Sequence, residues 1–267
     1  MFEIVCSQLT KTFVSASGTV TPARDLSLSF AAGAISAVIG ESGCGKTTLL
    51  RMIAGLETPE SGTVTFKGER KTPSLSVVFQ EPRLFPWLTV EENIALAVRH
   101  EPHSVQKEKT GRMLEMIGLT QSARAKPREL SGGMAQRVSL ARALVSEPDI
   151  LLMDEAFSAL DALTRTRVRN EFIRLWQAHP MTVVLVTHDV LEATLLASHI
   201  TRLSEGRAIT AYPVSFSYPR NLATPGLSAL SESILNDFFT DEGPTKNGSS
   251  CIVVGKKIKQ LHWKAVV

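Results

Sequence analysis

The sequence predicts an α/β fold built on a mainly parallel β-sheet, with an antiparallel β flap at the N-terminal end and an α-helical subdomain inserted near the middle. Three observations carry that prediction. Short apolar runs rich in β-branched residues recur at 26–30, 34–39, 63–66, 75–79, 150–153 and 183–186, and several lead into helix-like stretches. The early segments 3–13 and 26–30 have no helical pattern between them and read as an antiparallel flap. Between 81 and 146 the strand signal stops and apolar residues fall at helical spacing instead, as in Met134, Val138, Ala141 and Val145.

These elements predict one domain over about 1–240, with a core of about 1–80 and 147–206, a helical subdomain at about 81–146 and a C-terminal extension at about 207–240. The extension carries Pro213, Pro219, Pro225 and a short helix around 227–239. Residues 241–267, with Gly243-Pro244 and Asn247-Gly248-Ser249-Ser250, read as a flexible tail; a cloning remnant and a lineage-specific regulatory piece are the other readings.

Composition excludes several classes. Hydrophobic residues make up 43% and charged residues 21% of the 267, which is ordinary globular usage rather than that of a disordered or fibrous chain. No run approaches the roughly 18 apolar residues of a membrane-spanning helix, and the Met1-Phe2-Glu3-Ile4 start has no export-signal pattern. Cys6, Cys44 and Cys251 are odd in number and far apart, so neither a disulfide framework nor a metal knuckle is expected, and a reducing cytoplasm is. The net charge of +3 is set by residues 241–267, whose five lysines face only Asp241 and Glu242. Without that tail acids and bases balance, so no nucleic-acid partner is expected.

Gly40, Glu41, Ser42, Gly43, Cys44, Gly45, Lys46, Thr47 and Thr48 follow an apolar strand and open onto the helix-forming run Leu49-Leu50-Arg51-Met52. Strand, glycine-rich loop and helix start are the context a phosphate-binding loop requires. The glycines let backbone N–H groups turn toward oxyanions, the helix N-terminus adds partial positive charge, and Lys46 neutralises outer phosphates. Thr47 can offer its hydroxyl to Mg2+. Cys44 reads as a small side chain packed in a tight loop rather than as a reactive thiol.

Such a loop needs an acid at the end of a neighbouring strand, and the apolar run Ile150-Leu151-Leu152-Met153 ends in Asp154 and Glu155. Asp154 is the candidate metal partner, while Glu155 can orient or deprotonate the attacking water. His188 follows the run ending at Val186 and points to a γ-phosphate contact; the plainer reading is a helix-start residue without chemistry. Gln80 ends another strand and can reach metal or water.

Leu130-Ser131-Gly132-Gly133-Met134-Ala135-Gln136-Arg137 resembles the signature sequence of ABC ATPases. With the phosphate loop, Gln80, Asp154-Glu155, Ser158-Ala159-Leu160-Asp161 and His188 in that order, residues 2–206 resemble the family throughout. The resemblance implies a P-loop NTPase (RecA-like) fold, ATP and Mg2+ as cofactors, and ATP hydrolysis. It also implies that Ser131, Gly132 and Gly133 complete the nucleotide site of a second copy of the chain, and that Asp161 belongs to the same nucleotide-binding set. In the family an aromatic residue stacks on adenine; Phe13 is the candidate, with a flap-core phenylalanine as the rival reading. Ala156 and Met134 depart from the commonest family residues, and neither change removes a phosphate ligand.

The segment Glu81-Pro82-Arg83-Leu84-Phe85-Pro86-Trp87-Leu88 is similar to the nitrate/sulfonate/taurine importer branch, which includes suspected importers of thiamine precursors. That likeness implies an ATP-hydrolysing importer subunit on the cytoplasmic face of the membrane. Its expected partners are a second copy, integral-membrane permease subunits and, indirectly, a solute-binding protein. Pro82, Leu84, Phe85 and Trp87 would then form a docking surface for the permease, the alternative being a subdomain core. A soluble ABC ATPase clamp without a membrane partner is the rival function, and a regulatory nucleotide-binding module with little turnover is another. Retention of Glu155 argues against the second.

Overall fold

The computed structural model describes residues 1–15 and 18–239. The expectations for the 241–267 tail lie outside the described residues. In chain order the strands are β1 (Glu3–Ser15), β2 (Gly18–Phe30), β3 (Ile35–Ile39), β4 (Ser61–Lys67), β5 (Leu75–Val78), β6 (Ile150–Asp154), β7 (Thr182–Thr187), β8 (His199–Ser204) and β9 (Arg207–Pro213). The α-helices are α1 (Lys46–Ile53), α2 (Val90–Ala95), α3 (His103–Met116), α4 (Gly132–Leu144), α5 (Ala162–Ala178), α6 (Val190–Leu196) and α7 (Leu227–Phe239). The chain divides into two compact units, one of Met1–Glu3, Ala31–Ile35 and Gly68–Val186, the other of Ile4–Phe30, Ser36–Lys67 and the chain from Thr187 on.

In the first unit β5, β6 and β7 pair in parallel, with Val78 opposite Met153 and Asp154 opposite Val186. Every residue of β6 and β7 is buried, the pattern of parallel strands covered on both faces, which is why they read as unbroken apolar runs. Parallel register brings the ends of β5 and β6 to one edge, where Gln80 and Glu155 follow. The helices of this unit close a core of their own around Val90, Ile94, Val98, Leu114, Ile117, Val138, Ala141 and Val145. Thr89 starts α2 with a reciprocal cap: its amide donates to Glu92 Oε2 at 2.6 Å, and the Glu92 amide donates to Thr89 Oγ1 at 3.2 Å. Asn93, fully buried, accepts from the Phe85 amide and donates to the carbonyls of Phe85, Leu88 and Thr89, which fixes the loop before α2.

In the second unit β2, β1 and β4 form a three-stranded sheet, with β1 and β2 antiparallel as expected of the flap. Both flap strands are longer than their apolar segments, because bulges between Cys6 and Leu9 and between Leu9 and Phe13 break the alternation that the sequence exposes. Strand β3 pairs in parallel with β8, and β8 turns back antiparallel into β9. The turn uses Glu205 at φ 47 and Gly206 at φ 77, two successive left-handed residues that match the twist of a tight hairpin. Helix α7 buries Leu227, Ser231 and Ile234 on one face. Its far end is fastened by Arg202 Nη1 donating to Asp237 O at 2.9 Å and Tyr212 Oη donating to Asp237 Oδ2 at 2.6 Å.

Candidate nucleotide site

The phosphate loop leaves the fully buried β3 at Gly40 and ends at Gly45, the N-cap of α1. Gly45 has φ 108, and a Cβ there would lie 1.8 Å from the Pro22 carbonyl oxygen, so glycine alone fits. A Cβ on Gly40 would meet Leu203 O at 2.4 Å and Cys44 Sγ at 2.6 Å. Backbone packed this closely leaves Glu41, Ser42 and Gly43 as an exposed crown over the buried Cys44, Gly45 and Lys46, with Thr47 and Thr48 half-buried on the first turn of α1.

Lys46 is only 7% exposed, and its Nζ donates to Gly40 O and Glu41 O, each at 2.8 Å, with Cys44 Sγ at 3.8 Å. No carboxylate lies within ion-pair distance of it among the described residues. A buried ammonium held by carbonyl dipoles alone fits an anionic ligand at the head of α1, where the helix dipole also favours negative charge. The loop residues therefore fit ATP phosphates. Among the described residues no three His, Cys, Asp or Glu side chains cluster to hold an ion by themselves. Thr47 on the first turn of α1 offers a hydroxyl and Asp154 at the end of β6 a carboxylate, each an oxygen donor of the kind Mg2+ accepts.

At the end of β6, Asp154 is 5% exposed and Glu155 half-buried. Glu155 has φ 47, a conformation that costs a side-chain-bearing residue about 1–2 kcal/mol. Its amide donates to Val186 O at 2.9 Å, and its carbonyl accepts from the Ser158 amide at 3.1 Å and hydroxyl at 2.8 Å. These bonds hold the turn and aim the carboxylate, which accepts from Gln80 Nε2 at 3.2 Å. Gln80 and Glu155, read independently from the sequence, are thus brought together.

Ser131 caps α4, its Oγ accepting from the Met134 amide at 3.2 Å. Gly132 faces open space, whereas a Cβ on Gly133 would lie 3.2 Å from Ala159 O and 3.5 Å from Leu160 Cδ2. The signature backbone is therefore pressed against the segment leading to Asp161. Asp161 in turn caps α5: its Oδ1 accepts from the Thr164 amide at 3.0 Å, and hydrogen bonds from the Thr164 side chain and backbone hold its carboxyl below the usual range. The residue read as part of the nucleotide set has this local structural task, which the sequence reading missed although Asp161 followed by Thr164 spells a helix start.

His188 is exposed just beyond β7, and the α6 cap falls to Asp189, whose Oδ1 accepts from the Glu192 amide at 3.0 Å. The helix-start reading thus belongs to its neighbour. Phe13 is 42% exposed on β1, with Lys11 Nζ 5.3 Å from its ring centroid, which is not the environment of a flap-core side chain. Of the expected docking residues, Phe85 and Trp87 are exposed, with ring centroids 5.4 Å apart. Leu84 is half-buried and packs against the helical core, as the alternative reading of this segment has it.

Comparison with known proteins agrees with this architecture. Residues 23–158 match the family described as ABC transporter. The aliphatic sulfonates import ATP-binding protein SsuB of Bacillus subtilis (strain 168) is 42% identical over 237 residues, covering 87% of this chain and 92% of that protein. SsuB 1 of Pseudomonas fluorescens is 46% identical over 233 residues, covering 87% and 85%. Among solved structures, the ATP-binding cassette MJ0796, dimeric in a post-hydrolysis state with ADP and Pi, is similar at TM-score 0.72 and 28% identity, covering 80% of this chain and 100% of that one. On the extent of these matches, the chain belongs to the ABC transporter family, as an ATP-binding, ATP-hydrolysing cassette.

Proposed function

We propose that this chain energises an importer for a small organic sulfonate, hydrolysing ATP as a dimer beneath a membrane permease pair. The buried Lys46 ammonium at the head of α1 is the observation that carries nucleotide binding. The identity to SsuB proteins over most of both chains carries the choice of cargo class. Nitrate, taurine or a thiamine precursor are the neighbouring cargoes in that branch.

In this reading Lys46 neutralises the outer phosphates, the Gly40–Thr48 backbone cradles them, and Phe13 stacks on adenine. Thr47 and Asp154 would hold Mg2+, with Gln80 alongside, and the ion supplies charge neutralisation at the phosphate oxygens. Glu155 orients the attacking water and accepts its proton, while His188 donates to the γ-phosphate. Ser131, Gly132, Gly133 and Asp161 of a second copy close the site, so the dimer holds together better with ATP than with ADP. That difference in affinity is what a transport cycle needs.

The organisation that serves this cycle is a core of about 1–80 and 147–206 with a helical subdomain at about 81–146, Phe85 and Trp87 facing the permease and α7 extending the C-terminal side. Among the described residues no helix is long and apolar enough to cross a membrane. In this reading attachment is peripheral, on the cytoplasmic face, with a solute-binding protein acting from the other side. The test is affinity purification from membranes followed by uptake of a labelled alkyl sulfonate. Copurification of a multi-spanning protein and ATP-dependent uptake are expected. Robust ATPase activity with no membrane partner would favour the soluble clamp instead.

A further inference from the structure

Helix α4 makes three hydrogen bonds to the loop that carries Gln80, none of them part of the Ser131 cap. Gln136 Nε2 donates to Phe79 O at 3.1 Å, Arg142 Nη2 to Pro82 O at 3.1 Å and Arg142 Nη1 to Arg83 O at 3.0 Å. The bonds fall on both sides of Gln80. Gln136 is 1% exposed and its Oε1 has no partner, so this amide is kept in the interior with only its donor side used. Burying half-satisfied polar groups is unfavourable, and an apolar side chain of the same shape would pack there at lower cost.

The far end of the loop is equally constrained. Arg83 adopts φ 46, in the left-handed region, and its guanidinium lies 4.2 Å from the centroid of the Phe79 ring. Phe79 is thus held by its carbonyl to Gln136 and by its ring to Arg83, while Arg142 grips the two carbonyls that follow Glu81. Only Gln80 and Glu81 lie between the fastened positions, and from this short arc Gln80 Nε2 reaches Glu155 Oε2 at 3.2 Å.

We infer that Gln136 and Arg142 are positioning residues for hydrolysis: by fixing the segment from Phe79 to Arg83 at both ends they hold the Gln80 amide on the Glu155 carboxylate. The inference rests on the ATPase reading of Gln80 and Glu155. Ser131 caps the start of the same helix to which the Gln80 loop is tied, so the placement of the signature and the placement of the catalytic pair are both set by α4.

The experiment is steady-state ATP hydrolysis by the full chain carrying Gln136→Met or Arg142→Lys, each alone and combined with Gln80→Ala. Gln136→Met keeps the buried volume and removes the donor, and Arg142→Lys keeps the charge but loses the planar fork from which Nη1 and Nη2 each donate to a separate carbonyl. Each single variant is expected to lower kcat about tenfold with KM for ATP within about twofold. Neither is expected to lower it further once Gln80 is alanine. An unchanged kcat in both variants, beside a clear loss in Gln80→Ala, would overturn the inference and leave the ATPase reading standing. An equal loss with and without Gln80 would overturn it too, as would a loss matched by a drop in Tm in both variants. If Gln80→Ala were itself silent, the reading of Gln80 would fall and this inference with it.

Discussion

The side-chain amide of Gln80 donates to Glu155 Oε2 at 3.2 Å, and Glu155 sits at φ 47 in a turn that three further hydrogen bonds hold shut. A strained turn supported from several sides is stiff, and stiffness is what a group that must aim at one water requires. Replacing the carboxylate by an amide keeps the shape and removes the proton acceptor. Glu155→Gln is therefore expected to bind ATP, to hydrolyse it at least about 100-fold more slowly, and to accumulate as a dimer in ATP. ATPase assay and light scattering with and without nucleotide check this; hydrolysis at the parent rate would remove Glu155 from its role.

Two glycines of the phosphate loop separate conformational strain from steric exclusion. Gly43 has φ 83 and open space within 4 Å of where a Cβ would stand, whereas Gly45 has φ 108 with the Pro22 carbonyl oxygen 1.8 Å from that point. Gly43→Ala should cost about 1 kcal/mol of stability, and Gly45→Ala at least about 3 kcal/mol together with nucleotide binding. Urea unfolding and a nucleotide titration of both variants measure the contrast, and equal losses would mean the loop relaxes around the added atom.

Because Phe13 is exposed, its removal should leave folding nearly intact. Loss of base stacking would weaken ATP binding by about tenfold in Phe13→Ala, while Phe13→Tyr should bind as the parent does. A lowered Tm with unchanged ATP affinity would instead restore the flap-core reading.

Trp87, 68% exposed beside Phe85, is the side chain proposed to anchor the permease contact. Trp87→Ala should change stability by less than about 0.5 kcal/mol and weaken the membrane complex about 30-fold, as loss of an interfacial tryptophan anchor does. ATP hydrolysis by the isolated chain should not change. Pull-down of the permease together with the ATPase rate decides it.

Asp149 joins the entries to β5 and β6. Burial acts against its ionised form, but the Ser74 amide and hydroxyl, each donating to Oδ2 at 2.8 Å, and the Arg70 guanidinium outweigh it and hold its carboxyl below the usual range. A depressed folded-state pKa gives stability that is present above the unfolded value of about 3.9 and is lost as pH falls through the folded one. The parent should therefore lose stability below about pH 4 more steeply than Asp149→Asn, which starts lower. Parallel acid limbs in urea titrations of the two proteins would rule Asp149 out as a contributor.

The elements legible in the sequence are those whose signal is local. Strands β6 and β7 announce themselves because they are buried on both faces, and the phosphate loop because its glycines, Lys46 and the start of α1 are contiguous. Strands β8 and β9 went unread. The first contains Arg202, buried against Asp237 O and the Phe238 ring, and the second alternates through Ala208, Thr210 and Tyr212 rather than through large apolar residues. They pair with each other across a two-residue turn, but β8's other partner, β3, lies far along the chain, and the composition of neither strand declares it.

By itself, then, the sequence determined the fold class, the family likeness and the inventory of chemical groups, since each rests on residue type and short spacing. Tertiary structure alone decided how those groups are held. It set Glu155 in a left-handed turn facing Gln80, packed Leu84 against the helical core and left Trp87 outside, and tied the Gln80 loop to Gln136 and Arg142. The reason is physical: hydrogen-bond partners 50 to 80 positions apart are chosen by where the backbone brings them, and no periodicity within a short window encodes that choice.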